Sequence, residues 1–132
     1  MLPQDFEALY ALWRQTPGVD VTQADTVEGL SFFLDRNPGL SFIAESGGQL
    51  VGAIMCGHDG RRGFLHHLVV YIPFRRKGIA GRLVQSSMDQ LEQVGIEKCH
   101  LFIRRDNKDG LKFWESLQWK ERIELTMASY TF

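Results

Sequence analysis

The densest group of chemistry-bearing residues in this 132-residue chain is Arg75-Arg76-Lys77-Gly78-Ile79-Ala80-Gly81, which lies between a strand-like run and a helical one. At a helix start about four backbone N–H groups lack acceptors within the helix and the helix dipole is positive, so a loop placed there is suited to an anion such as a phosphate. Gly78, Ala80 and Gly81 are small enough to let the anion reach the backbone, and Arg75, Arg76 and Lys77 add positive charge. The loop is not a Walker loop, because no Gly-Lys-Ser/Thr follows four free positions. It is not a dinucleotide fingerprint either, because three glycines at that spacing are missing. The same residues also describe a plainer feature, a basic first turn of a surface helix with glycines for packing.

Stepping outward, the elements that must hold this loop follow from periodicity. Phe6, Leu9, Tyr10 and Trp13 recur at helical spacing after Pro3, with Asp5 and Glu7 in the first turn. A second helix is expected from Thr22, where Thr22-Gln23-Ala24-Asp25 resembles a capping box, through Leu34, with Asn37-Pro38 as the stop. Leu40 to Glu45 and Gln49 to Cys56 read as a hairpin around Ser46-Gly47-Gly48, and Phe64 to Val70 follows the turn His58-Asp59-Gly60, so three consecutive antiparallel strands are predicted. After Pro73 the period becomes helical, with Ile79, Leu83, Val84, Met88, Leu91 and Val94 on one face and Gly95 as the stop. Cys99 to Arg104 then reads as a strand parallel to Phe64–Val70, because a helix joins the two. A helix from Asn107 to Leu117 and a strand pair within Trp119 to Phe132 complete an α+β domain.

Composition bounds the rest. At 15.1 kDa, with 44% hydrophobic and 23% charged residues, the chain is read as one ordinary globular domain over 1–132. Its apolar stretches fall well short of the roughly 20 residues of a membrane span. The net charge of −1 excludes a nucleic-acid coat, yet it conceals segregation: residues 1–59 carry −6 and residues 60–88 carry +6 with no acid. A short positive segment in a near-neutral chain fits one small anion. Cys56 and Cys99 lie in apolar runs and the N-terminus lacks a secretory pattern, so reduced thiols and a cytoplasmic location are expected. The spacing of Cys56, His58, His66, His67, Cys99 and His100 fits no paired zinc pattern, so no metal is expected.

Arg75-x-x-Gly78-x-Ala80 resembles the acyl-CoA pyrophosphate loop, Gln/Arg-x-x-Gly-x-Gly/Ala, of the GNAT superfamily of N-acetyltransferases. Leu68-Val69-Val70 followed by Pro73 resembles the strand before that loop, Asn107 resembles the family's Asn after the following strand, and Phe113-Trp114-Glu115-Ser116-Leu117-Gln118-Trp119 resembles its Phe-Tyr-Glu-x-Leu-Gly-Phe segment. The four motifs stand in order over nearly the whole chain.

The resemblance implies a three-layer α/β arrangement: a mixed, mostly antiparallel sheet with one parallel pair, flanked by about four helices. The parallel pair would diverge and the pantetheine arm of acetyl-CoA would fill the gap along Leu68, Val69 and Val70, as an added strand does. Backbone N–H groups from Arg76 through Lys77, Gly78, Ile79, Ala80 and Gly81 would hold the pyrophosphate with Arg75 beside them, Asn107 would contact the pantetheine arm, and Trp114 would wall the thioester end. The implied reaction is direct attack of a primary amine on the acetyl group through a tetrahedral oxyanion held by a strand N–H.

Two departures touch catalysis. Trp114 stands where the family's usual acid is Tyr, and Phe102 where some members carry Glu, and neither can supply a proton usefully. His66 is therefore the candidate base, on a strand face with Phe64 and Leu68, with an ordinary pKa near 6.5. His67 would face the other way, and Tyr71 is the candidate acid. A non-catalytic acyl-CoA-binding or regulatory module is the competing reading. The family's opening strand is also missing, so the outer edge of Leu40–Glu45 is expected to be covered by a second copy in a homodimer or by a rearranged terminus.

Overall fold

The computed structural model describes residues 1–132. The chain forms two compact units, Met1–Phe102 and Ile103–Phe132.

In the first unit, Pro3–Asp5 forms a 3-10 turn that leads into α1, Phe6–Arg14. Helix α2 is Val27–Arg36, and strands β1, Phe42–Ser46, β2, Gln49–His58, and β3, Gly63–Val70, follow as a meander. A 3-10 turn at Ile72–Phe74 leads to α3, Ile79–Gln93, and then to β4, Cys99–Leu101. The sheet order is β1-β2-β3-β4, with β1/β2 and β2/β3 antiparallel and β3/β4 parallel, as the periodicity predicts. The second unit holds α4, Lys108–Ser116. The fold is α+β, with a mixed four-stranded sheet and four helices, none long and apolar enough to cross a membrane.

Packing explains these elements. Leu9, Leu12 and Trp13 of α1 and Leu30 of α2 bury against Ala53, Met55 and Val69 of the sheet. Leu83, Val84, Ser87 and Leu91 form the buried stripe of α3, and the Ser87 hydroxyl donates to the Leu40 carbonyl at 2.8 Å. Gly63 allows the close approach of α3 to the sheet, because a Cβ there would lie 2.7 Å from Leu91 Cδ1 and 3.2 Å from Cys99 Sγ.

Four expectations change. Helix α2 begins at Val27, capped by the Thr26 hydroxyl accepting from Gly29 N–H at 3.0 Å. Thr22–Asp25 is instead a separate turn in which the Asp25 carboxylate accepts from Thr22 N–H at 2.7 Å. Strand β4 stops at Leu101, short of Arg104, and Val94 is exposed beyond the end of α3. No strand forms within Trp119–Phe132, whose apolar Ile123, Leu125 and Met127 are exposed. At the outer edge of the sheet, the Met1 ammonium donates to the Ser41 carbonyl at 3.3 Å, which places the terminus at the start of that edge.

Candidate active site

Strand β3 is the backbone of the site. Its parallel pairing with β4 covers only Gly63↔Cys99, Phe64↔His100 and Leu65↔Leu101, while β3 runs on to Val70. From His66 to Val70, β3 has β2 on one side and no β4 partner on the other. This unpaired stretch is the one along which the family resemblance expects the pantetheine arm.

The second feature is a bulge. On β2, Ala53 pairs with Val69 and Met55 with His66, so His67 and Leu68 together face Ile54. His67 takes φ +50°, a left-handed conformation that histidine adopts more readily than most residues. A bulge leaves the extra residue outside the hydrogen-bond ladder and restarts the alternation of side chains. It therefore overturns the expectation that His67 faces away from His66. Both imidazoles line one cavity of about 230 Å³ with Trp13, Asp25, Leu30 and Phe33.

Within the cavity, His67 Nε2 donates to Asp25 Oδ1 at 2.9 Å, and its ring meets the Trp13 indole edge-on, with centroids 4.8 Å apart. Trp13 Nε1 is itself buried with no hydrogen-bond partner in the chain. His66 stacks on Phe64 at 6.5 Å and meets Phe33 edge-on at 6.1 Å. Burial, aided by the adjacent His67, holds its pKa below the ordinary imidazole value. Tyr71 sits at the exit of β3, where its N–H donates to the Val51 carbonyl and its ring stacks on Phe74 at 6.1 Å.

The basic loop lies where the sequence places it. Gly78, at φ +80°, is the N-cap of α3 and has no side-chain cap, so the first N–H groups of the helix are not covered from within the loop. A Cβ built on Gly78 or Gly81 would meet nothing within 4 Å, so the space beside this helix start is open. Arg76, at φ +60°, and Lys77 are exposed, and the Lys77 ammonium rests over the Phe74 ring at 5.4 Å. Arg75 is committed differently: its Nε donates to the Val70 carbonyl at 2.9 Å and ties the loop to the end of β3. In the His58–Gly63 turn, Asp59 Oδ1 accepts from Arg61 and Arg62 N–H at 2.8 and 2.7 Å, and these bonds hold its carboxyl below the usual range.

The second unit is built around its own contacts. Asn107 caps α4, with Oδ1 accepting from Gly110 N–H at 3.0 Å. Trp114 is buried between Phe113 and Trp119, with edge-on rings at 5.1 and 5.0 Å. The first unit thus gathers His66, Leu68, Val69, Val70, Tyr71 and the 75–81 loop along one path, from cavity to helix start. Sequence reasoning placed Asp25 in a cap and His67 on the opposite face, and missed their pairing because an unmarked bulge and a 42-residue separation bring them together.

The sequence model described as the acetyltransferase (GNAT) family matches residues 6–119. An acetyltransferase of Photorhabdus laumondii is 34% identical over 122 residues, covering 89% of this chain and 82% of that protein. One from Pectobacterium atrosepticum is 32% identical over 124 residues, covering 88% and 82%. Among solved structures, an aminoglycoside N-acetyltransferase in complex with a CoA-containing bisubstrate analogue superposes with a TM-score of 0.77 at 20% identity, covering 100% of this chain and 95% of that one. The PaiA N-acetyltransferase of Thermoplasma acidophilum, in complex with coenzyme A, gives 0.76 at 19% identity, covering 89% and 84%.

Proposed function

The chain belongs to the acetyltransferase (GNAT) family, and from that premise we propose that it moves the acetyl group of acetyl-CoA onto a primary amine. The observation that carries this reading is the open edge of β3 from His66 to Val70, leading directly to the uncapped start of α3. An extended pantetheine arm pairs with such an edge as an added strand would. The N–H groups from Arg76 to Gly81 then receive the pyrophosphate, while Arg75 fixes the loop against Val70.

In the reaction, the amine nitrogen attacks the acetyl carbonyl carbon. The N–C bond forms, negative charge collects on the carbonyl oxygen, and a bulge N–H outside the ladder stabilises it. The C–S bond then breaks, the amine proton passes to neutral His66, and the departing thiolate is protonated by Tyr71 or by solvent. The lowered pKa of His66 supports this role by keeping the ring unprotonated near neutrality.

The test is acetyl-CoA binding by calorimetry, followed by release of free CoA thiol across an amine library. Binding with amine-dependent release is expected. His66→Gln should bind acetyl-CoA normally and turn over at least about tenfold more slowly. Binding without release against every amine would overturn acetyl transfer in favour of an acyl-CoA-binding module.

A further inference from the structure

The cavity beside His66 has a composition of its own. Trp13, Leu30, Phe33 and Met55 give it apolar and aromatic walls. Asp25 is its one carboxylate, and that group is already bonded to His67 at 2.9 Å and to the Thr22 N–H at 2.7 Å. From the cavity a row of rings runs outward along the sheet. Phe33 meets His66 edge-on, His66 stacks on Phe64 with 14° between planes, and Phe64 stacks on Phe102 at 6.4 Å with 20° between planes. Phe102 is 63% exposed, so the row ends on an open aromatic face.

We infer that the amine acceptor is a compact monoamine with a planar aromatic body, an arylalkylamine, seated in this cavity and against this row of rings. The inference rests on the acetyl-transfer reading and names the substrate class of that site.

Three physical points carry it. A volume of about 230 Å³ is below the roughly 300–1,000 Å³ of sites that hold drug-sized ligands, which favours a compact acceptor over a polycyclic sugar. A polycation would need several carboxylates, and burying its extra charges beside one engaged Asp25 is costly. Rings on either side of His66 offer offset-stacked and edge-on partners to an aromatic acceptor, and they place its aminoalkyl arm near the imidazole.

The experiment measures kcat/KM at saturating acetyl-CoA for phenethylamine, isoamylamine, spermidine, kanamycin and a short peptide with a free N-terminus. Phenethylamine should exceed spermidine, kanamycin and the peptide by at least about tenfold, and isoamylamine should fall between. Phe102→Ala, at an exposed position, should raise KM for phenethylamine about threefold to tenfold and shift isoamylamine less. A preference for spermidine, kanamycin or the peptide, or an equal effect of Phe102→Ala on every amine, overturns the inference and leaves acetyl transfer standing. Acetyl-CoA binding with no amine acetylated removes both.

Discussion

His67 Nε2 and Asp25 Oδ1 lie 2.9 Å apart, joining the turn ahead of α2 to the bulge of β3 across 42 residues of sequence. The bond fixes a half-buried imidazole whose backbone occupies the left-handed region at φ +50°. The two effects oppose each other, because left-handed backbone costs a non-glycine residue roughly 1–2 kcal/mol, whereas a hydrogen bond to a charged group returns about 1.5–3 kcal/mol.

Substitutions at His67 separate these contributions. His67→Ala loses the bond and keeps the strained backbone, whereas His67→Gly loses the bond and relieves the strain. Urea unfolding should find the glycine variant more stable than the alanine variant by about 1 kcal/mol. The reverse order would mean that the bulge does not hold this conformation in solution.

His66 gives the protein a pH signature. Its folded pKa lies below the ordinary value of about 6.5, so between the two values the unfolded chain binds more protons than the native one. Stability therefore falls as pH drops through that window and levels off once the native imidazole is also protonated. The acidic limb of kcat/KM should likewise sit below about pH 6.5. His66→Gln should flatten the first profile and remove the limb from the second.

Trp13 carries a buried N–H with no partner, a deficit of about 1–3 kcal/mol in its environment. Trp13→Phe gives up ring volume and also removes that donor. Its loss of stability in urea should stay below about 2 kcal/mol, well short of the roughly 3–5 kcal/mol expected for Trp13→Ala.

At Gly78 there is room for a side chain but not the backbone conformation for one. Gly78→Ala should cost about 1 kcal/mol in thermal unfolding, and Gly78→Val should also weaken acetyl-CoA binding at least about tenfold by filling that space. Unchanged affinity in Gly78→Val would move the pyrophosphate elsewhere.

The two thiols should be quiet. Burial, with Cys99 nearby, pushes Cys56 up to about 12, and burial pushes Cys99 up to about 11. Iodoacetamide at pH 8 should label both slowly in the native protein and rapidly in urea, because only the thiolate reacts.

What the sequence made legible was the part governed by local chemistry. The 75–81 loop stands out because small residues and bases cluster between a strand-like run and a helical one, and the parallel placement of β3 and β4 follows from the helix between them. The bulge carried no such mark: His67-Leu68 reads as ordinary alternation, and only pairing against Ala53 to Met55 adds the extra residue. Thr22-Gln23-Ala24-Asp25 misled for a related reason. Its turn bonds imitate a cap, while Asp25 is drawn to His67 and the helix waits for Thr26. The alternating apolar residues after Trp119 resembled strands, but a strand also needs a neighbouring edge, which periodicity cannot provide.

The early end of the β3/β4 ladder also has a thermodynamic side. A sheet whose last rung on one side is Leu65↔Leu101 leaves the later β3 amides on that side without a strand partner, and such amides are the less protected ones in a sheet. A ligand bound along that edge adds its binding energy to the folded state alone, about 2.7 kcal/mol at a hundredfold excess over Kd. Amide exchange from His66 to Val70 should therefore slow with occupancy, and the melting temperature would track the surrounding concentration of acyl-CoA.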